Sequence, residues 1–295
     1  MKKLLALLLV IMFALTTAAL AEAPAEPAVC TEEIVTIHTD RYDIPATVCL
    51  PIGEGPFPAV VMLHGTGSTR DEAGNGYAYA APLLAERYGL ATIRIDFPGN
   101  GDSTADYMLY TFRSAVADAK AAAEYMAALD VINGEKIGVM GWSQGGTDAL
   151  LACAWEPDTF KSLVTWAGAP DMMLDGFFSE ADYEEAKENG FFVMEFDWRD
   201  NLNVSLEWCD DVANTDVLGE FAKGYAGPVL AIAGTNDDTV DPEWSNKIVA
   251  ASTNAASKTC FIEGMDHTFN VFTGDLSALY TAIDATGEFF AETLK

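Results

Sequence analysis

The feature that most constrains this chain is an alternation of short apolar runs with stretches of helical period. The runs are Ala59–Leu63, Leu90–Ile95, Lys136–Met140, Ser162–Trp166, Pro228–Ala233 and Thr259–Ile262. Between and after them lie Tyr77–Tyr88, Phe112–Leu129, Gln144–Trp155, Pro242–Ala256 and Leu276–Leu294, whose polar and apolar positions follow a helical repeat. A strand with no polar alternation needs cover on both faces, and interleaved helices supply it. The pattern predicts an α/β fold with a mostly parallel sheet and helices on both sides. Ahead of it, Thr31–His38 and Asp43–Leu50 alternate around Thr39-Asp40-Arg41-Tyr42, which predicts an N-terminal antiparallel hairpin.

The alternation breaks once, between Pro170 and Gly227. There acidic residues mix with Phe177, Phe178, Phe191, Phe192, Phe196, Trp198 and Trp208. A segment of that length does not persist as bare loop inside a compact domain, so it is expected to be an inserted lid, at about 170–227, with helices of its own. Its aromatics suit either a stacking pocket or the core of the lid itself.

Met1-Lys2-Lys3, the apolar stretch from Leu4 to Leu15 and the small residues Ala19-Leu20-Ala21 read as a signal peptide over residues 1–21, placing the protein outside the cytoplasm. The stretch is shorter than the roughly 20 residues of a membrane span, no later segment reaches that length, and no stable membrane anchor is expected. Cleavage there would leave residues 22–295 as one catalytic domain, an Ala/Pro/Glu-rich leader at its start, with 14 basic against 45 acidic side chains. Nucleic acid is excluded as a partner, because phosphate binding needs Lys and Arg, and a strongly anionic substrate would be repelled. Nothing in the sequence fixes the oligomeric state. Five scattered cysteines make neither a disulfide scaffold nor a zinc site. Cys30 and Cys49 flank the predicted hairpin, which would bring their thiols together, whereas Cys153 falls in a helix and is expected to be a packed thiol.

The strongest chemical signal is Gly141-Trp142-Ser143-Gln144-Gly145-Gly146, directly after one predicted strand and directly before a helix. A serine on so tight a turn needs glycine two residues to either side. The turn lifts its hydroxyl above the strand ends and aims a helix N-terminus, with the Gln144 N–H, at a developing oxyanion. A serine hydroxyl needs a base, normally an imidazole oriented by a carboxylate. Of three histidines, His38 falls in the hairpin and His64, in His64-Gly65-Thr66-Gly67, ends a strand where it would shape the oxyanion loop. His267, in Gly264-Met265-Asp266-His267-Thr268-Phe269 after the last strand, is the candidate base. The acid should fall between serine and histidine, where Gly234-Thr235-Asn236-Asp237-Asp238-Thr239-Val240-Asp241-Pro242 offers three. Asp237 fits the G-x-x-D-x-x-V spacing, Asp238 is the alternative, and Asp241-Pro242 reads as a helix N-cap and first position. The Thr66 N–H is the candidate second oxyanion donor.

These motifs, together with Asp96-Phe97-Pro98-Gly99-Asn100-Gly101-Asp102-Ser103, resemble the α/β-hydrolase family from about Thr31 to the C-terminus. Gln144 after the serine and the Asp-His-Thr-Phe ending are similar to bacterial cinnamoyl and feruloyl esterases and their carboxylesterase relatives. Trp142 stands where those enzymes often carry His, and Thr66 where they often carry an aromatic residue. The resemblance implies a secreted serine esterase acting on a small-molecule ester or an ester-decorated polysaccharide, through an acyl-enzyme and with no metal or organic cofactor. The alternatives are a serine exopeptidase of the prolyl-peptidase kind, a dienelactone-type hydrolase, which would normally place Cys at the elbow, and a silent hydrolase-fold binding protein.

Overall fold

The computed structural model describes residues 29–171 and 178–295; the signal sequence and leader read at 1–28, and Phe177, lie outside the described residues. The strands are β1 (Cys30–His38), β2 (Asp43–Pro51), β3 (Phe57–Leu63), β4 (Ala91–Ile95), β5 (Ile132–Trp142), β6 (Ser162–Trp166), β7 (Phe191–Met194), β8 (Leu202–Ser205), β9 (Val229–Gly234) and β10 (Lys258–Ile262). The helices are α1 (Gly76–Tyr88), α2 (Phe112–Ala127), α3 (Gln144–Trp155), α4 (Glu180–Asn189), α5 (Leu206–Asn214), α6 (Val217–Gly224), α7 (Glu243–Ala251) and α8 (Ser277–Thr293).

Eight strands form one sheet in the order β1-β2-β4-β3-β5-β6-β9-β10. The first two pairings, β1 with β2 and β2 with β4, are antiparallel, and all the others are parallel. This is the mostly parallel α/β sheet that the alternation predicts, hairpin included, in the arrangement that the resemblance to α/β-hydrolases implies. Residues two apart share a face of a strand. Thus Val60 and Met62 join α1 and α8 in one buried cluster, while Ala59, Val61 and Leu63 join α2 and α3 in the other. Each fully buried Val, Leu or Ile contributes roughly 1.5–3 kcal/mol, so the central strands anchor the fold.

β3 is followed in the chain by its neighbour on one side, β4, and then by its neighbour on the other side, β5. The connections leaving β3 and β5 therefore diverge, and a crevice opens at their carboxyl ends, the place where open α/β sheets bind ligands. Leu63 and Gly141 are paired at that end, so the loop beginning at His64 and the turn at Ser143 face each other across it.

Between β6 and β9 the chain builds α4, the antiparallel hairpin β7–β8, α5 and α6. The sequence pattern does not reveal this hairpin; its strands are two four-residue runs bracketing residues 195–201, where Phe196 and Trp198 stand among five polar residues. Phe178, Phe192, Trp208 and Phe221 are buried within this segment, whereas Trp198 is 65% exposed. The helix expected over Pro242–Ala256 stops at Ala251, because Ser252 and Asn254 side chains accept the N–H groups of Asn254 and Ala256 and turn the backbone away. Cys30 lies opposite Pro51 and Cys49 opposite Glu32, a diagonal rather than a facing pair; all five cysteines are free thiols.

Candidate active site

Ser143 sits at φ 56°, ψ −122° between β5 and α3, a conformation that strains any residue with a side chain. Its N–H donates to Trp166 O at 2.8 Å, and its carbonyl accepts from Gly146 N–H at 2.9 Å, which pins the turn from both sides. A Cβ on Gly141 would lie 1.8 Å from Gly145 O, and one on Gly145 would lie 2.2 Å from Leu63 O, which is why the motif requires glycine at both places.

The imidazole of His267 stands between two partners. Its Nε2 is 3.1 Å from Ser143 Oγ and its Nδ1 is 2.9 Å from Asp237 Oδ2. The other Asp237 oxygen accepts the N–H groups of Thr239 at 3.0 Å and Val240 at 2.9 Å, so the spacing to Val240 is the closing of an Asp-anchored turn. Asp238 is exposed and, among the described residues, its side chain reaches Thr239 Oγ1 alone, at 3.5 Å. Asp241 Oδ1 accepts the Glu243 N–H at 2.9 Å; α7 begins at Glu243 with Pro242 at its N-cap, one residue later than the sequence reading places it.

The histidine loop is wound tightly. Asp266 Oδ1 accepts from Thr268 N–H, Thr268 Oγ1 and Asn270 N–H, each at 2.9 Å, and Phe269 and Asn270 both adopt φ 59°. The Phe269 ring is buried, stacked on Trp166 at 4.7 Å and tilted on Trp142 at 4.5 Å. Trp142 Nε1 donates to His267 O at 3.0 Å, so the residue before Ser143 also anchors the loop that carries His267. This link was not visible in the sequence.

His38 is exposed beside Asp43, far from these groups in the fold, in the β1–β2 hairpin. His64 is buried. Its Nδ1 lies 2.8 Å from Gly65 O and its Nε2 accepts the Phe97 N–H at 3.1 Å, so the proton belongs on Nδ1. Burial pushes its pKa down, keeping the ring neutral and structural. The Asp96–Ser103 stretch braces the same region: Asp96 accepts the Arg70 and Asp102 N–H groups at 2.7 and 2.9 Å and pairs with the Arg70 guanidinium.

The backbone N–H groups of Thr66 and Gln144 have no acceptor among the described residues, and the two side chains are joined, Thr66 Oγ1 donating to Gln144 Oε1 at 2.5 Å. Beside them opens a cavity of about 720 Å³, lined by Ser143 and His267 and walled by Met194, Phe196, Trp198 and Phe272. Among the described residues, Glu72 is the one carboxylate lining it. The tip of the β7–β8 hairpin is fastened over this cavity by Arg199, which donates to Gly67 O and Asn100 Oδ1 at 2.5 Å and to Gly99 O at 3.1 Å.

Comparison with known proteins fits this geometry. The prolyl oligopeptidase family model matches residues 83–290. The chain belongs to that family. It has the α/β-hydrolase fold. It is 30% identical over 210 residues to 2,6-dihydropseudooxynicotine hydrolase of Paenarthrobacter nicotinovorans, a match covering 68% of this chain and 49% of that protein. The chain thus spans about half the length of this curated relative. Among solved structures it is similar to Est1E of Butyrivibrio proteoclasticus with ferulic acid bound, at 23% identity and a TM-score of 0.72, covering 88% of this chain and 99% of that one. It is also similar to a monoacylglycerol lipase of Paleococcus ferrophilus, at 18% identity and a TM-score of 0.66, covering 85% and 99%. At these identities the likenesses establish the fold.

Proposed function

We propose that the chain hydrolyses carboxylic esters with apolar acyl groups, through an acyl-enzyme on Ser143. The observation that carries this reading is the hydrogen-bonded run from Ser143 Oγ through His267 to Asp237, at 3.1 and 2.9 Å, opening onto a cavity walled by Met194, Phe196, Trp198 and Phe272. His267 takes the Ser143 proton as the hydroxyl attacks the ester carbonyl, while Asp237 fixes the tautomer and steadies the imidazolium. The N–H groups of Thr66 and Gln144 receive the oxyanion. The alcohol departs with the proton from His267, and water repeats the sequence to release the acid. In this scheme the segment between β6 and β9 is the lid that selects the acyl group. Aromatic walls suit a planar acyl group such as a hydroxycinnamate, and the ferulic acid in Est1E supports testing that class. The Met1–Ala21 pattern supports action outside the cytoplasm.

Family membership favours a second reading, cleavage of a peptide bond by the same groups. The test is a panel of p-nitrophenyl esters of increasing chain length, methyl ferulate and a prolyl p-nitroanilide, with labelling by a fluorophosphonate. Ester turnover well above anilide turnover is expected. Ser143→Ala should lose both labelling and several orders of magnitude in kcat while remaining folded. An alanine variant that kept most of its activity would refute the assignment.

A further inference from the structure

We propose that Glu72 is a positioning residue: its carboxylate fixes the loop that presents the Thr66 N–H to the oxyanion. The proposal rests on the acyl-transfer reading of Ser143 above.

Glu72 occupies φ 63°, ψ −178°, a region that residues with a Cβ enter only when their surroundings dictate it. Its surroundings do. The side chain is buried, and Oε1 accepts the Gly65 N–H at 2.5 Å, while Oε2 accepts Ser68 Oγ–H at 2.8 Å and the Ala73 N–H at 2.9 Å. No Lys or Arg among the described residues pairs with it; Arg70 is engaged by Asp96 and Asp102, and Arg94 by Glu32 and Asp71. Burial pushes the carboxyl up, and the hydrogen bonds from Gly65, Ser68 and Ala73 act the other way. A buried carboxylate without a cation is costly to keep, so its three bonds to one loop call for an explanation.

Peptide planarity supplies it. The Thr66 N–H belongs to the same peptide plane as the Gly65 carbonyl and points the opposite way. That carbonyl accepts from Ser68 N–H at 3.1 Å and faces His64 Nδ1 at 2.8 Å, so its direction is set, and the Thr66 N–H direction with it. Glu72 holds both ends of this turn, through the Gly65 N–H at one side and the Ser68 hydroxyl at the other. Gly65 in turn abuts the nucleophile: a Cβ there would lie 3.1 Å from Ser143 Cβ. A small rotation of the Gly65–Thr66 peptide would therefore turn an oxyanion donor away from the carbonyl under attack.

The experiment compares wild type, Glu72→Gly and Glu72→Gln by kcat, KM and the inhibition constant of an acyl trifluoromethyl ketone, which places an oxyanion in the hole when Ser143 adds to it. Glycine tolerates the Glu72 backbone conformation without strain, so the fold is expected to persist. We expect kcat to fall about 10- to 100-fold, below the loss from deleting an oxyanion donor outright, with KM changing by less than about threefold. The ketone should lose affinity in parallel with kcat/KM. Glu72→Gln keeps one acceptor for the Gly65 N–H and should fall between the two; if the glycine variant does not fold, this variant carries the same comparison. Wild-type kcat in a folded variant, or a fall in kcat with ketone affinity unchanged, would overturn the proposal. Retained activity in Ser143→Ala would instead overturn the acyl-transfer reading itself.

Discussion

Asp148 lies on α3 just beyond Ser143, fully buried, with Oδ2 accepting Tyr110 O–H at 2.5 Å and Oδ1 unpartnered among the described residues. Burial pushes its carboxyl up from 3.8 to about 8. The sign of the resulting pH dependence follows from which state binds the proton. Above the unfolded value the unfolded chain has released its proton while the folded chain keeps it, so stability falls as pH rises, until the folded carboxyl also ionises. From the shift of 3.8 to about 8, this costs on the order of 4 kcal/mol at pH 7 and somewhat more at pH 8. Asp148→Asn does not titrate. Its amide oxygen can accept from Tyr110, while its NH2 group faces the unpartnered side at a constant cost of roughly 1–3 kcal/mol. Asp118, itself pushed up to about 6 by burial, is present in both proteins and contributes to both. The variant should therefore be equal to or less stable than wild type near pH 5 and more stable by a few kcal/mol at pH 8.5. Urea unfolding at pH 5, 7 and 8.5 measures the difference. A gap between the two proteins that stays constant across that range would show that Asp148 is not titrating as argued.

Two further substitutions separate the His267 loop from the β7–β8 hairpin. Trp142→Phe retains the ring against Trp166 and Phe269 but removes the N–H that reaches His267 O. It should cost about 1 kcal/mol of stability and lower kcat several-fold with little change in KM, and unchanged kinetics would mean that the Asp266 turn holds the histidine loop unaided. Arg199→Gln removes the guanidinium that ties the hairpin tip to Gly67, Gly99 and Asn100. KM for long or aromatic acyl esters should rise by about tenfold, since the wall formed by Phe196 and Trp198 loses its anchor, and amide exchange across Phe191–Ser205 should quicken. Unaltered KM together with unaltered exchange would show that apolar packing alone seats the hairpin.

The parts of this molecule legible in the sequence are those whose constraint is local. Gly141 and Gly145 flank Ser143 because their hydrogens alone fit between neighbouring backbones, so the spacing carries the geometry with it. Asp237 closes a turn on Val240 within three residues, and that turn separates it from Asp238. Arg199 is illegible for the opposite reason. Its acceptors Gly67 and Asn100 lie 132 and 99 residues away, and only the folded arrangement of three loops makes an arginine useful at that hairpin tip. Trp142 is intermediate: its position before the nucleophile marks it, but its partner is 125 residues away across the sheet. Glu72 presents a third case. Its hydrogen bonds span seven residues at most, yet a positive φ at a residue other than glycine leaves no trace in composition or periodicity.

The division between what reacts and what selects follows from topology. The crevice between β3 and β5 brings Thr66 and Ser143 together at the ends of two strands buried in the middle of the sheet. The walls of the cavity come instead from the hairpin between β6 and β9 and from Phe272 in the histidine loop, both peripheral to the sheet. Substitutions at Phe196 or Trp198 should therefore redistribute KM among acyl groups, and substitutions around Glu72 should act on kcat. One contact joins the two sets, since Arg199 grips Gly67 directly beside Thr66. An acyl group that displaced the hairpin would therefore disturb the oxyanion loop as well, and poor substrates should lose turnover as well as affinity.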